Sequence, residues 1–392
     1  MIIKDSYSVC QKLLARGPVA HEPAISEWYN GALDCVPDRG DSYQLRGLML
    51  TLHDDVSRVA PKYRPQAKAL LDHLVRTGTW CIAEVHVVYS DVFGKAALLN
   101  PDLPMMPFMF DDDAHRVRAD KRRLEATRAC EDKVLFAKQW ANSGYMPETA
   151  IFEPEDPITP ERAWNIVACK PAFVKAAMTA SGNDNVYCGT YDELFGIMCS
   201  PEWKGRRYVI QKAFGAHDMS INYFIADEGV YFLFCTTQVN DGVVHTGNVL
   251  CAEYDALCIT ATKAMVLKAR RDGVRGFCGY DLRVSADYKE VKVVECNARM
   301  TAPVYGYMLA LKHDVTHWLV MNVYNVAHDT LEALVPESFE YNPTTKRGII
   351  CHNPGPLTSE RAVSVTALGG SKEELFACLE AFKAHACEPE FV

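Results

Sequence analysis

The apolar positions of this chain switch repeatedly between two spacings, and the switches predict its elements. PQAKALLDHLVRTG (65–78) spaces apolar residues at three and four and ends in glycine, the pattern of a helix. CIAEVHVVYS (81–90) follows as a strand-like run. NPDLPMMPFMFDDD (100–113) is punctuated by proline and aspartate and reads as a boundary. EDKVLFAKQWANSGYMPETAIF (131–152) predicts a helix stopped near Gly144, then an extended run. PITPERAWNIVACK (157–170) predicts a helix with Thr159 as N-cap and Pro160 at its first position. PAFVKAAM (171–178) and RRYVIQKAF (206–214) read as strands flanking a helix in YDELFGIMCSPEW (191–203). DMSINYFIAD and GVYFLFCTTQV read as paired strands around a turn at ADEG (226–229). DALCITATKAMVLKARRDG (255–273) is a long helix closed by Gly273, and GYDLRVSADYKEVKVVECNAR (279–299) a hairpin. From about residue 330 the chain turns irregular, CHNPGP (351–356) reads as a turn, and SKEELFACLEAFKAHA (371–386) closes with a helix.

In the hairpin, a turn over Ser285–Lys289 sets Arg283 against Val293 and Asp281 against Glu295. Opposed residues share a face, so two carboxylates meet there, with Asn297 and Arg299 two and four positions beyond Glu295. Like charges at that range cost free energy unless something positive lies between them. Either a hard divalent cation holds both, or the acids sit on a solvated hairpin and pair with Arg299. The hairpin alone does not choose between these.

Composition narrows the function classes. The 392 residues, 49% of them hydrophobic, suffice for two or three domains. A net charge of −9 argues against a nucleic-acid coat, and the basic run 115–128 is interleaved with acids. No stretch is apolar and long enough for a membrane span, and the N-terminus has no signal-like apolar run. Fifteen cysteines, odd in number and without C-x-x-C, predict reduced thiols and a cytoplasmic protein.

Three upstream segments add chemistry. Lys175 ends a β-rich run before the small residues Thr179–Asn183, which allow backbone N–H groups close to phosphate oxygens. The Q-K-A-F connector (211–214) carries the flat side chain of Phe214. Lys133 opens a helix. Taken in order, D-K-x-x-x at Lys133, the Lys175 loop, Q-K-A-F with G-x-x-D, the long helix, G-x-D and E-x-N-x-R resemble the ATP-grasp superfamily. That superfamily includes D-alanine–D-alanine ligase, biotin carboxylase and amino-acid ligases. The resemblance covers roughly residues 120–310.

The resemblance implies an ATP-grasp fold of class α+β / α/β, with two α+β lobes clamping ATP behind a mixed α/β N-terminal domain. The implied domains are 1–120, a small lobe 121–210, a large lobe 211–330, and an extension 331–392 packing on the large lobe. Lys133 and Lys175 match phosphate-contacting lysines, and Ser181 and Gly182 the phosphate loop. Gln211, Lys212, Ala213 and Phe214 match the adenine hinge, and Asp218 a ribose contact. Asp281, Glu295 and Asn297 match ligands of Mg²⁺, with Mn²⁺ admitted in its place. Arg299, with Lys175, matches the catalytic set beside the transferred phosphoryl group. Gln238 and His245, in the polar loop expected over 235–249, and Arg299 are substrate candidates, and Tyr305 and Tyr307 either line a second pocket or belong to the core. The implied reaction activates a carboxylate as an acylphosphate and joins it to an amine, releasing ADP. The departures are Gln211 in place of glutamate, a single loop glycine, and Asp281 in place of glutamate. The alternatives are a biotin-carboxylase-like carboxylating enzyme and a non-catalytic ATP-binding regulatory module. The expected partners are small carboxylates and amines, with no nucleic acid and no membrane, and a homodimer is allowed.

Overall fold

The structure, a computed structural model, describes residues 2–3, 20–22, 43–50, 55–79, 86–178, 185–241 and 244–387. The chain divides into two units. Unit 1 comprises residues 1–4, 121–245 and 251–300, and unit 2 comprises 5–120, 246–250 and 301–392. The four-part sequence division differs from this, because residues 331–392 group with the N-terminal segment. Among the described residues no helix is long and apolar enough to cross a membrane, and all twelve described cysteines are free.

The first strand, β1 (Ile2–Ile3), runs parallel to a later strand of unit 1. The N-terminal part of unit 2 is a parallel sheet of β2 (Ala20–Glu22), β3 (Val56–Val59), β4 (His86–Tyr89) and β5 (Met105–Pro107), in the order β4-β3-β2-β5. Its helices include α1 (Arg46–Leu50) and α2 (Arg64–Arg76), the latter lying where the 65–78 pattern predicts it.

Unit 1 opens with α3 (Lys121–Glu131) and α4 (Lys133–Trp140). Asp132 between them caps α4 by accepting from the N–H groups of Val134 and Leu135. A four-stranded antiparallel sheet follows, β6 (Thr149–Phe152), β7 (Ala172–Ala176), β8 (Asn185–Cys188) and β9 (Tyr208–Lys212), in the order β6-β9-β7-β8. Ala172, Val174 and Ala176 of β7 alternate into a core with Tyr208 and Ile210, beneath α5 (Pro160–Ile166) and α6 (Tyr191–Cys199). Phe173 and Lys175 take the opposite face, across from Gln211 and Val209. Thr159 caps α5 as expected, and a capping box of Thr190 and Glu193 starts α6.

The second sheet of unit 1 comprises β10 (His217–Ile225), β11 (Val230–Asp241), β13 (Gly276–Val284) and β14 (Val291–Asn297), ordered β14-β13-β10-β11. β12 (Val244–Leu250) enters unit 2 at Thr246, and α7 (Asp255–Asp272) packs on β10, β11 and β14. Residues 235–241 and 244–249 are therefore strand, which corrects the expected polar loop. Its alternating polar residues are one face of a sheet.

In unit 2, α8 (Ala302–Lys312), β15 (His317–Val323), β16 (Gly348–Asn353), β17 (Val363–Gly369) and α9 (Lys372–Ala386) complete the chain. The strands order as β12-β15-β17-β16. The expected turn at 351–356 is the end of β16 followed by a 3₁₀ turn at Gly355–Leu357. α9 starts at the Ser371 cap.

Candidate active site

The hairpin holds the centre of the site. Asp281 pairs with Glu295, as the turn position predicts, but Arg283 pairs with Lys292 and Leu282 with Val293. Val294 is an extra residue, a bulge, so the predicted pairing of Arg283 with Val293 is corrected. The bulge reconciles two demands. Val293 and Cys296, three apart, both enter the core with Leu282 and Tyr280. Lys292, Glu295 and Asn297 share the other face with Asp281 and Arg283.

The neighbouring strands extend that face. Asp218, Ser220 and Asn222 of β10 lie opposite Arg283, Asp281 and Gly279, and Thr236 of β11 lies opposite Ser220. Both carboxylate oxygens of Asp281 accept amide hydrogens. Gln238 Nε2 donates to one and Asn297 Nδ2 to the other, each at 3.0 Å.

Helix and small-sheet residues bring cations to these acids. Lys133, at the start of α4, places Nζ 3.4 Å from Glu295 Oε2. Lys175 is buried and donates from Nζ to Gln211 Oε1 at 3.0 Å. Gln211 Nε2 reaches Thr149 Oγ1 at 3.4 Å. Arg299 Nε lies 3.4 Å from Oε2 of Glu131, the last residue of α3. Three carboxylates (Glu131, Asp281, Glu295) and three cations (Lys133, Lys175, Arg299) thus form one cluster.

Burial sets its electrostatics. It pushes Asp281 up to about 7, reinforced by Glu295, while Arg299, the Asn297 hydrogen bond and Lys175 pull the other way. Glu131 is also pushed up to about 7, by burial first and by Glu295, against the pull of Arg299 and Lys133. Lys175 is lowered to about 8, by burial and by Lys133, against Glu295 and Asp281. At each displaced group burial outweighs the opposite charges nearby. A divalent cation would add opposite charge at the acids and a polyanion at Lys175. The donor set of two carboxylates and an amide suits a hard cation. Among the described residues no three His, Cys, Asp or Glu side chains converge as a metal set, so any ion here needs further oxygen ligands.

The remaining predicted residues are placed as follows. Lys212 Nζ pairs with Glu148 at 2.8 Å, and its N–H donates to the Glu148 carbonyl. The Ala213 N–H donates to Pro171 O at 2.8 Å. The Phe214 ring lies 5.9 Å from Lys292 Nζ. Asp218 is ion-paired with Arg283 and accepts from Asn240 Nδ2 at 3.1 Å. His245 is near the start of β12, and Tyr305 and Tyr307 are buried on α8 in unit 2. Ser181 and Gly182 lie outside the described residues.

Sequence reasoning misses Glu131 and Arg283. Arg283 donates to the carbonyls of Phe214 (2.8 Å) and Gly215 (3.0 Å), clamping the connector between β9 and β10. Gly215 there has φ +73°, and a Cβ would meet Val284 O at 2.6 Å, so only glycine fits. Two-residue alternation from Asp281 points to Arg283. Glu131 carries no such signal.

Residues 130–303 match a family described as the ATP-grasp domain. These residues are an ATP-grasp domain. Solved structures agree on the ATP-grasp fold. Biotin carboxylase from Campylobacter jejuni is 11% identical with TM-score 0.57, covering 94% of this chain and 91% of its own. Carboxyaminoimidazole ribonucleotide synthase from Aspergillus clavatus, complexed with ATP, is 12% identical with TM-score 0.54, covering 93% and 97%. N5-carboxyaminoimidazole ribonucleotide synthetase from Thermus thermophilus is 14% identical with TM-score 0.52, covering 89% and 96%. At these identities the likeness concerns the ATP-grasp fold alone. Comparison with curated sequences finds no match.

Proposed function

We propose that this protein is an ATP-dependent ligase that activates a small carboxylate as an acylphosphate and joins it to an amine, releasing ADP and phosphate. The observation that carries this reading is the cluster around the opposed Asp281–Glu295 pair, in which Lys133 pairs with Glu295 while Lys175, held by Gln211, and Arg299, held by Glu131, act electrostatically on Asp281. A site that only bound nucleotide would have no need of both the paired carboxylates and three cations. Phosphoryl transfer needs positioning and charge neutralisation more than acid–base chemistry. Lys133 and Lys175 would hold the phosphates. Asp281, Glu295 and Asn297 would hold Mg²⁺, which when bound supplies charge neutralisation at the phosphate oxygens. Gln211, Lys212, Ala213 and Phe214 would flank the base, with Arg283 fixing the connector. Asp218 would serve the ribose after leaving Arg283.

A substrate carboxylate oxygen would attack the γ-phosphorus while the bond to the β-phosphate oxygen breaks. The amine nitrogen would then attack the acyl carbon, phosphate would leave, and the amine would lose a proton. Arg299, planar and always charged, would steady the oxyanion of the second step, with Glu131 orienting it. Gln238 and His245 remain candidate substrate contacts.

A second reading is favoured by the names of the structural neighbours, a biotin carboxylase and two carboxyaminoimidazole ribonucleotide synthases. In it bicarbonate is the carboxylate. ADP release from Mg·ATP, screened against pooled amino acids and small carboxylates with bicarbonate tested separately, distinguishes the two. Release requiring one carboxylate and one amine supports the ligase, and release with bicarbonate supports carboxylation. Absence of release across all pools in a protein that binds ATP would favour a non-catalytic ATP-binding module or a substrate outside the pools. Glu295→Gln should lower turnover at least about 100-fold while ATP still binds, because charge stabilisation at the transferring group is lost. Unchanged turnover would remove Glu295 from the metal set.

A further inference from the structure

Unit 2 contains a second buried polar cluster, made wholly from its own residues. Arg46 on α1 is almost fully buried and donates from Nη2 to Ser364 Oγ on β17 at 3.1 Å. Its guanidinium lies 4.2 Å from the Tyr43 ring centre and 5.4 Å from that of Tyr305 on α8. Tyr305 stacks in turn on His352, with centroids 5.5 Å apart and planes within 8°. His352 is the residue skipped in the register where β16 pairs with β17, and Asn353 beside it pairs with Ser364. α1, α8, β16 and β17 pack around this point.

Among the described residues, three buried nitrogens of the cluster have no hydrogen-bond partner: Arg46 Nε, His352 Nε2 and Asn353 Nδ2. The opposite ends of the two β16 side chains are engaged. His352 Nδ1 meets Thr366 Oγ1 at 3.2 Å, and Asn353 Oδ1 accepts from the Gly355 N–H at 3.3 Å. Buried donors are normally paired, and leaving one unmade costs about 1–3 kcal/mol. Three together, two of them nitrogen donors in any protonation state, call for one compact acceptor. We propose that this cluster is a binding site for a small organic anion, with its carboxylate accepting from Arg46, His352 and Asn353.

Charge favours a carboxylate over a phosphate. Burial, together with Arg46, lowers His352 well below its usual range, so it is neutral and Arg46 is the only cation of the three. One negative charge balances it, whereas a phosphate dianion would leave a buried charge uncompensated. The inference does not rest on the ligase reading, although that reaction also uses a carboxylate.

The test is calorimetric titration of the full-length protein with acetate and with inorganic phosphate, against chloride at matched ionic strength. The expected result is saturable acetate binding, tighter than phosphate, weakened at least about tenfold in Arg46→Met and in Asn353→Leu. Lys175→Met, in the ATP-grasp domain, should retain it. Where Arg46→Met fails to fold, the ¹⁵N shift of the wild-type His352 imidazole during acetate titration reads the same site. No saturable binding or no His352 shift would mean that water satisfies these nitrogens, and the proposal falls. It falls equally if both unit 2 variants keep the binding or Lys175→Met removes it. Tighter phosphate binding would overturn the carboxylate assignment.

Discussion

Lys175 concentrates the chemistry of the site in one side chain. Its ammonium is buried against the amide oxygen of Gln211, and burial lowers it to about 8. The folded value lies below the ordinary lysine value, so the protonated form is the disfavoured one, and it is the form that attracts phosphate. Nucleotide affinity should therefore hold below about pH 8 and fall as pH rises through it, by up to about tenfold per unit. Calorimetry with ADP across that range checks this, and a flat profile would detach Lys175 from the phosphates. Gln211→Glu sets a carboxylate beside the ammonium, which should raise the lysine and move the break upward. The pairing of Asp281 with Glu295 was legible in the sequence because alternation about the turn specifies it, and Lys133 lies beside that pair in the structure. Glu131 was not legible, because its partnership with Arg299 joins the end of α3 to a residue beyond β14, a contact no local pattern encodes.

At the scale of elements, the periodic segments were legible and their departures from period were not. α7, α9 and the β10–β11 pair stand where the spacing predicts them. The polar stretch 235–249 looked like a loop because one sheet face there is hydrophilic. The bulge at Val294 was hidden because two adjacent valines satisfy either register. That ambiguity can be measured. Val293 is fully buried in the core, whereas Val294 is only partly buried. Val293→Thr should cost about 1–3 kcal/mol by burying a hydroxyl, and Val294→Thr about 0.5 kcal/mol or less. Urea denaturation of the pair reads the difference. The reverse order would restore the unbulged hairpin and set Lys292 against the core.

At the scale of the molecule, unit 2 is built from the two ends of the chain, and only long-range contacts reveal it. The sequence places 331–392 with the large lobe because they follow it. In the structure β15 pairs with β17, and α2 packs on β16. Truncation after residue 330 removes β16, β17 and α9, so unit 2 should lose its hydrogen-exchange protection; retained protection over 55–79 would contradict this grouping. Glu340 is the sharpest of the long-range ties. It accepts from His73 Nδ1 at 2.8 Å and from Arg76, while the Cys351 N–H donates to His73 Nε2 at 2.9 Å, so the ring proton sits on Nδ1. Burial pushes Glu340 up, but the hydrogen bonds from His73 and Arg76 outweigh it and hold the carboxyl at about 2. A carboxyl lowered in the folded state stabilises it fully above the unfolded value near 4.5. That contribution is lost as pH falls from there through about 2. Glu340→Gln should therefore cost on the order of 2–3 kcal/mol at neutral pH. The gap to wild type should narrow steadily between pH 4.5 and 2, because protonation makes the native carboxyl resemble the amide. Chemical denaturation of both proteins across that range measures it. A gap that stays constant would mean that Glu340 acts through packing, and that the charge between α2 and the C-terminal segment contributes nothing to holding the two ends of the chain together.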